Sequence, residues 1–194
     1  LKLNRLGDIE WARTLGENLV NKYHETAYSV QQTTDGGYVI AGRNDVFGST
    51  RALVAKYDTS GDLEWARSLF GDINDDRAEA RSVYQTTDGG YIIAGRTDKG
   101  VGTDLDAFLI KLTNLGEIEW AKTVGGNGDD RAYSVQQTVD SGYIVAGQTN
   151  TKNVDNVDVF LFKTDESGHT EDSAQFSSLP FEPMMFDLES PKFI

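Results

Sequence analysis

Short apolar runs recur along this chain and are separated by turn-forming residues. The clearest run reads Gly-Tyr, two apolar residues, Ala and Gly, and it follows an aspartate-led turn at residues 35–42, 88–95 and 140–147. Aspartate and glycine favour a tight turn, and an apolar run directly after such a turn predicts a β-strand. Because the run ends in Ala-Gly, we also expect another backbone to approach it closely at that end.

The pattern repeats with a period slightly above 50 residues, since Trp11, Trp65 and Trp120 are 54 and 55 residues apart. Each period holds four strand-like runs, and the Gly-Tyr run is the second of them. The first covers 27–33, 80–86 and 132–138; the third covers 52–57, 107–112 and 159–163; the fourth carries the tryptophan. No segment shows a sustained helical period with caps, so almost no helix is expected.

Four short antiparallel strands in a repeat of this length are typical of one blade of a β-propeller. We therefore predict an all-β chain with about three propeller-type blades and an extended tail. The predicted units are 1–26 (partial), 27–79, 80–131 and 132–168 (partial) within a repeat region of 1–172, followed by the tail at 173–194.

The order of these strands resembles a kelch-type blade. It is more similar still to the Asp-Gly-Gly-Tyr repeats of bacterial and archaeal secreted or cell-surface propeller proteins, with the Gly pair before the Tyr and one Gly after it. The resemblance covers roughly residues 1 to 168. It implies a propeller and an extracellular or cell-surface location, and it implies no activity, because propellers serve many functions.

The two ends of the repeat region are complementary. The last repeat lacks its fourth strand, since Asp172 stands where a tryptophan is expected, while the N-terminus has a spare fourth strand around Trp11. That strand could complete a neighbouring copy beside the third strand around Phe160, in a head-to-tail contact that builds a ring or a fibre. One misfit is that residues 1–4 form a spare third strand, which would compete with the strand around Phe160.

The tail has a different composition from the repeats. It contains all three prolines and both methionines, so it should be extended. It would either pack as a strap on its own blade or dock as an arm on a neighbouring subunit; a disordered or tag-like end is the third reading. With Trp11 and Phe160, the predicted interface residues are its apolar side chains Phe181, Met184, Met185, Phe186, Leu188 and Phe193.

Composition excludes several classes of function. The formal net charge of −13 argues against nucleic acids and anionic membrane surfaces as partners. The chain has no cysteine and two histidines, which leaves little for a histidine-based triad or a zinc site. No apolar run approaches the length of a membrane span, so we expect no membrane insertion.

Recurring charged residues have structural explanations. A lysine in each third strand lies eight residues before a glutamate in the first three repeats, as in Lys56 and Glu64, which predicts an exposed cross-strand ion pair worth little. Asp72, Asn74 and Asp76 resemble the start of a calcium loop without its end, as do Asp129 and Asp130 more weakly, and solvated turns are the alternative. The pairs Asp104/Asp106 and Asp155/Asp158 are interpreted in the same way.

The tryptophans and the Gly-Tyr tyrosines favour packing between blades over a sugar-binding surface. We therefore predict a non-enzymatic extracellular structural or interaction module that associates with copies of itself, with no catalytic residue and no cofactor beyond the calcium alternative. Two alternatives remain open. One is a propeller that binds glycans or surface proteins as part of a larger ring, and the other is a carboxylate-based hydrolase.

Overall fold

The protein was analysed as a computed structural model that describes most of the repeat region and three residues of the tail. The described residues are 1–15, 24–46, 49–69, 77–98, 104–126, 128–150, 157–170 and 185–187. They contain fourteen β-strands and no helix, so the prediction of an all-β antiparallel chain is confirmed.

The strands form one small hairpin and three larger antiparallel sheets in chain order. The N-terminal hairpin is β1 (Lys2–Leu3) with β2 (Ile9–Trp11). Sheet I is β3 (His24–Gln32), β4 (Tyr38–Val46), β5 (Ser49–Tyr57) and β6 (Leu63–Leu69). Sheet II is β7 (Ala78–Gln85), β8 (Tyr91–Thr97), β9 (Asp106–Leu112) and β10 (Ile118–Val124). Sheet III is β11 (Asp130–Gln137), β12 (Tyr143–Asn150) and β13 (Val157–Thr164).

Each larger sheet is an up-and-down meander in which consecutive strands pair antiparallel. The last strand, β14 (Met185–Asp187), pairs antiparallel with β6 at the outer edge of sheet I. Within the described residues the strands do not close into a ring.

The turn before each second strand is built by its aspartate. In the first repeat the Asp35 Oδ1 atom accepts hydrogen bonds from Gly37 N at 2.8 Å and Thr33 Oγ1 at 2.5 Å, and Gly36 adopts a φ of 84°. Ser141 takes the equivalent place in the third repeat with a φ of 67°, a conformation that costs energy for a residue with a Cβ.

The glycine that closes each Gly-Tyr run lies inside the second strand and against the backbone of the first strand. A Cβ atom on Gly95 would overlap the carbonyl oxygen of Glu79 and would come within 2.6 Å of the Phe108 ring. Gly42 and Gly147 meet the carbonyl oxygens of Thr26 and Arg131 in the same way. The close backbone approach predicted from the Ala-Gly end is therefore confirmed, and it occurs where each first strand carries a β-bulge.

The sheets stack face to face, so the central strands of the chain are buried on both sides. Sheets I and II enclose one core that includes Val54, Ile93 and Phe108, and sheets II and III enclose a second that includes Leu109 and Val145. An apolar run with no polar face, as in β8, is the pattern expected of a strand covered on both sides.

Tryptophan links each fourth strand to the following sheet. The ring of Trp65 lies 5.6 Å from that of Tyr91 in an edge-on arrangement, and it covers the turn glycine Gly116. Trp120 contacts Tyr143 and Gly168 in the same way, and the hairpin residue Trp11 contacts Tyr38 and Gly61. These contacts confirm that the aromatic residues pack between repeats.

The lysines of β5 and β9 are buried, which corrects the expectation of exposed pairs in these two sheets. Lys111 Nζ lies 2.8 Å from Asp88 Oδ2 and 2.9 Å from Glu119 Oε2, and it also donates to the carbonyl oxygen of Leu112 at 3.2 Å. Lys56 makes the equivalent contacts with Asp35 and Glu64. Each lysine therefore joins the second, third and fourth strands of its sheet, because the aspartate from the turn reaches the same amine as the glutamate.

Candidate interaction faces

The outer face of sheet III is apolar and exposed, and we call it the C-terminal face. It is formed by Val157, Val159 and Leu161 on β13, which alternate with inward-facing residues. Leu161 is paired with Ala146 as Leu109 is paired with Ala94, yet Leu161 is 68% exposed and Leu109 is 1% exposed. The difference arises because sheet III covers Leu109, whereas nothing in the described residues covers Leu161.

The face of sheet I that points away from sheet II is also uncovered, and we call it the N-terminal face. Val30 occupies the position that Val83 and Val135 occupy in the next two sheets. It is 68% exposed, whereas Val83 and Val135 are 5% and 2% exposed. The N-terminal hairpin covers only the outer part of this face, where Trp11 meets Tyr38. Two apolar surfaces that pack on each other twice inside the chain are thus left open at its two ends.

Side chains on the first strands also link each sheet to the next by hydrogen bonds. Val83 N donates to Ser29 Oγ at 3.4 Å, and Val135 N donates to Ser82 Oγ at 3.2 Å. Three glutamines continue the series with bonds of 2.7 to 2.8 Å: Gln85 N donates to Gln31 Oε1, Thr34 N donates to Gln85 Oε1, and Thr87 N donates to Gln137 Oε1. A periodic series of this kind specifies one register for stacked sheets.

The predicted interface residues of the repeat region lie at different levels of the stack. Trp11 is at the N-terminal face, where it holds the hairpin against sheet I. Phe160 faces inward between sheets II and III, with its ring against Gly147 and 5.5 Å from Phe162. The exposed side chains beside it are Val159 and Leu161, which sequence reasoning missed because strand alternation does not say which face a later sheet would cover.

The described part of the tail is β14 alone. Its backbone pairs with β6 in the register Met185 to Leu69 and Asp187 to Arg67, so these three residues pair with their own chain. They do so on sheet I, two repeats away from the sheet that precedes them in sequence, and not on the preceding blade as the strap prediction had it. Phe181, Met184, Leu188 and Phe193 lie outside the described residues, so their predicted role at an interface stays a prediction.

Asp129 and Asp130, at the start of β11, support the backbone. Asp130 Oδ2 accepts from Gly126 N at 2.8 Å, which is a local turn bond. Asp129 Oδ1 accepts from Leu105 N at 3.0 Å and so joins the segment before β9 to the segment before β11. The described residues hold no group of three or more metal-ligating side chains, and Asp72, Asn74 and Asp76 lie outside them.

One acidic group of this region has a perturbed titration. Burial raises the pKa of Asp106 to about 6, and the charges of Asp130 and Asp104 add to the effect. An unfolded aspartate titrates near 3.9, so the folded protein binds this proton more tightly. The group therefore favours folding below about pH 4, and that contribution is lost as the pH rises through about 6.

We expect Asp106→Asn to stabilise the protein at about pH 8 by about 1–2 kcal/mol, after allowing for solvent screening of a half-buried group, and to give no gain at about pH 4. The amide mimics the protonated acid, so it removes a charge that is unfavourable only at the higher pH. Urea unfolding at both pH values checks this, with Asp8→Asn in an exposed turn as the control. An equal gain at both pH values would contradict the assignment.

No protein-family model matches this chain, and no curated protein matches it either. The kelch-like resemblance of the repeats therefore stays a prediction. Among the described residues there is no helix of the length and apolarity needed to cross a membrane.

Proposed function

We propose that the chain is a non-enzymatic structural module whose sheets are propeller-type blades and that it associates head to tail with copies of itself. The observation that supports this most directly is the exposure of Val30 and Leu161 at positions that are buried in every other sheet of the chain. The two faces that would meet already have the right chemistry for each other, since the chain packs the same pair of faces twice.

The contact between copies would repeat the internal one. Stacking the C-terminal face of one copy on the N-terminal face of another covers Val159 and Leu161 with the β3 strand of the second copy. The hydrogen-bond series would continue from Val30 N to Ser134 Oγ, because Ser134 holds the position of Ser29 and Ser82. A contact between two different faces is heterologous, so it closes into a ring or extends into a fibre.

The same arrangement supplies the fourth strand that sheet III lacks among its described residues. In the hairpin, Trp11 lies against Tyr38 in the way that Trp65 of the fourth strand β6 lies against Tyr91. The strand β2 therefore occupies the position of a fourth strand, and β1 occupies that of a third strand. The β1–β2 pairing joins only two residue pairs, whereas β5 and β6 join six. We therefore infer that β13 of a neighbour displaces β1 and pairs with β2, which removes the misfit of a spare third strand.

Charge supports this exchange. Lys2 Nζ lies 2.7 Å from Glu10 Oε2, the equivalent of the buried pairs at Lys56 and Lys111. Lys163 on β13 contacts Asp140, but its side chain is half exposed and no fourth-strand glutamate reaches it among the described residues. In the assembly Glu10 of the next copy would take that place, and Lys163 would become buried as Lys56 is.

The resemblance to secreted propellers supports an extracellular or cell-surface setting for such a module.

Association should depend on both faces separately. In sedimentation velocity, the sedimentation coefficient of the original 194-residue chain should rise with concentration. We expect Leu161→Lys and Val30→Lys each to abolish this rise, because a buried lysine without a partner opposes stacking. Mixing the two variants should give a species that stops at two chains, since each retains one working face. Leu115→Lys, at an exposed turn of sheet II outside both faces, is the matched control and should assemble like the original chain.

Negative-stain microscopy of the original chain should then show rings or fibres. A chain that stays monomeric at every concentration, or variants that assemble as well as the original, would overturn the proposal. A dimer formed by either variant alone would indicate a symmetric contact in place of the head-to-tail one.

A further inference from the structure

A cluster of arginines and tyrosines lies at the edge of the stack formed by the first strands β3, β7 and β11, which we call the inner edge, away from the two end faces. It is organised around Glu79, whose side chain is buried at the start of β7. Arg96 donates to both of its carboxylate oxygens, from Nε at 3.1 Å and from Nη2 at 3.0 Å. Arg43 from sheet I approaches the same carboxylate at 3.2 Å, and Arg81 bonds to it as well.

The cluster holds more positive charge than its own carboxylates balance. Burial raises the pKa of Glu79, but the hydrogen bonds and charges of Arg96 and Arg81 outweigh that effect and hold the pKa below its usual value. Glu79 is thus ionised, and the second carboxylate, Asp45, lies 4.0 Å from Arg43. Three guanidinium groups face two carboxylates, in a chain whose net charge is −13.

Donor atoms in the cluster are not all used. The Nε atoms of Arg43 and Arg81 are buried and have no hydrogen-bond partner among the described residues. The three arginine side chains are about a quarter to a third exposed, so an anion in solution can approach them.

Aromatic rings stand beside these guanidinium groups because of the β-bulges. Tyr28, Arg81 and Tyr133 are the bulged residues of the three first strands, so their side chains project from the inner edge at equivalent places. The Arg81 guanidinium lies 4.0 Å from the centre of the Tyr28 ring, and Tyr133 is 43% exposed. The result is a cationic patch with an accessible aromatic ring at its side.

Glu79 and Arg81 break the repeat, whereas Arg43 and Arg96 hold the same position in sheets I and II. The position of Glu79 is threonine in sheet I and arginine in sheet III, and the position of Arg43 and Arg96 is glutamine in sheet III. Sheet packing does not require them, since sheets I and III form without the same set. A cluster that sheet formation does not need is available for a ligand.

We propose that this Arg–Tyr cluster binds a carboxylated sugar. The planar fork of an arginine matches the two oxygens of a carboxylate, and the apolar face of a sugar ring fits an exposed tyrosine. Arg81 and Arg43 would receive the carboxylate, and Tyr133 would pack against the sugar ring. The site lies within one chain, so it does not depend on the proposed self-association.

The test uses a trimer of α-1,4-linked galacturonate and its fully methyl-esterified form, titrated calorimetrically into the 194-residue chain and into Leu161→Lys. We expect the acid to bind both proteins and the ester to bind at least about tenfold more weakly, since it lacks the charge. Arg81→Gln should weaken binding of the acid by at least about tenfold, and Tyr133→Ala should weaken it by at least about fivefold. Arg13→Gln, an arginine paired with Asp62 outside the cluster, should bind like the original chain.

Equal affinity for acid and ester, or no binding of the acid, would overturn the proposal. If Arg81→Gln weakened binding while Tyr133→Ala did not, the site would take a bare carboxylate and the sugar assignment would be wrong. Tyr133→Ala changes an exposed side chain, so it keeps the test valid if Arg81→Gln does not fold. Binding of sulfate without any binding of the galacturonate trimer would also contradict the proposal.

Discussion

Replacing Gly95 by alanine is expected to lower the free energy of unfolding by about 4 kcal/mol or more, enough to prevent folding of a marginally stable chain. The new Cβ would overlap the Glu79 carbonyl oxygen, directly before the bulge of β7, and it would also press on the Phe108 ring. A flexible side chain could move away, but a backbone carbonyl held in a sheet cannot. Urea unfolding followed by circular dichroism checks the result.

Substitutions at two other glycines distinguish a steric clash from backbone strain as the cause of the lost stability. Gly126 has no atom within 4 Å of a built Cβ and no positive φ, so Gly126→Ala should change stability by less than about 0.5 kcal/mol. Gly89 is equally open but has a φ of 84°, so Gly89→Ala should cost about 1–2 kcal/mol from backbone strain alone. If the Gly95→Ala protein were as stable as Gly89→Ala, the close approach of Gly95 to the Glu79 backbone would not be needed.

Replacing Trp65 by alanine is the second change with a large expected effect, about 3–4 kcal/mol of unfolding free energy. Trp65 joins sheet I to sheet II through Tyr91 and Gly116, and the guanidinium of Arg67 lies 5.6 Å from the centre of its ring. Alanine leaves a cavity that the rigid turn at Gly116 cannot fill, because that turn is fixed by its own hydrogen bonds. Chemical denaturation at constant pH measures the loss.

The equivalent tryptophan of the hairpin provides the control. Trp11→Ala removes the same contact with Tyr38 and Gly61, but the hairpin it anchors joins only two residue pairs. We expect a cost of less than about 2 kcal/mol, and release of the hairpin without unfolding of the three sheets. If Trp11→Ala destabilised the protein as much as Trp65→Ala, the tryptophans would not act through the joining of complete sheets.

Much of the local structure was predictable from the sequence. Turn residues such as Asp35 and Gly36 specify the turns through hydrogen bonds within a few residues, so the strand positions follow from them. The Lys56–Glu64 contact follows from an eight-residue hairpin spacing in the same way. These interactions span few residues, and a short span leaves few alternative geometries.

The candidate sites were less predictable because they join residues from different repeats. Arg43 meets Glu79 across 36 residues, and Asp106 at the start of β9 meets the charge of Asp130 at the start of β11. The burial of Lys111 also depends on the aspartate turn folding back over a strand that follows it. None of these contacts follows from strand alternation, which assigns side chains to one of two faces without saying what covers each face.

The sequence by itself determined the four-strand repeat, its turns, the glycine at the close approach and the packing role of the tryptophans, because local backbone geometry and side-chain size dictate them. The tertiary structure alone decided which apolar faces stay open. Leu161 and Leu109 belong to equivalent strands with the same alternation, and only the presence of a following sheet makes one of them buried and the other exposed. Burial depends on what stacks against a strand, and stacking is a long-range property of the chain.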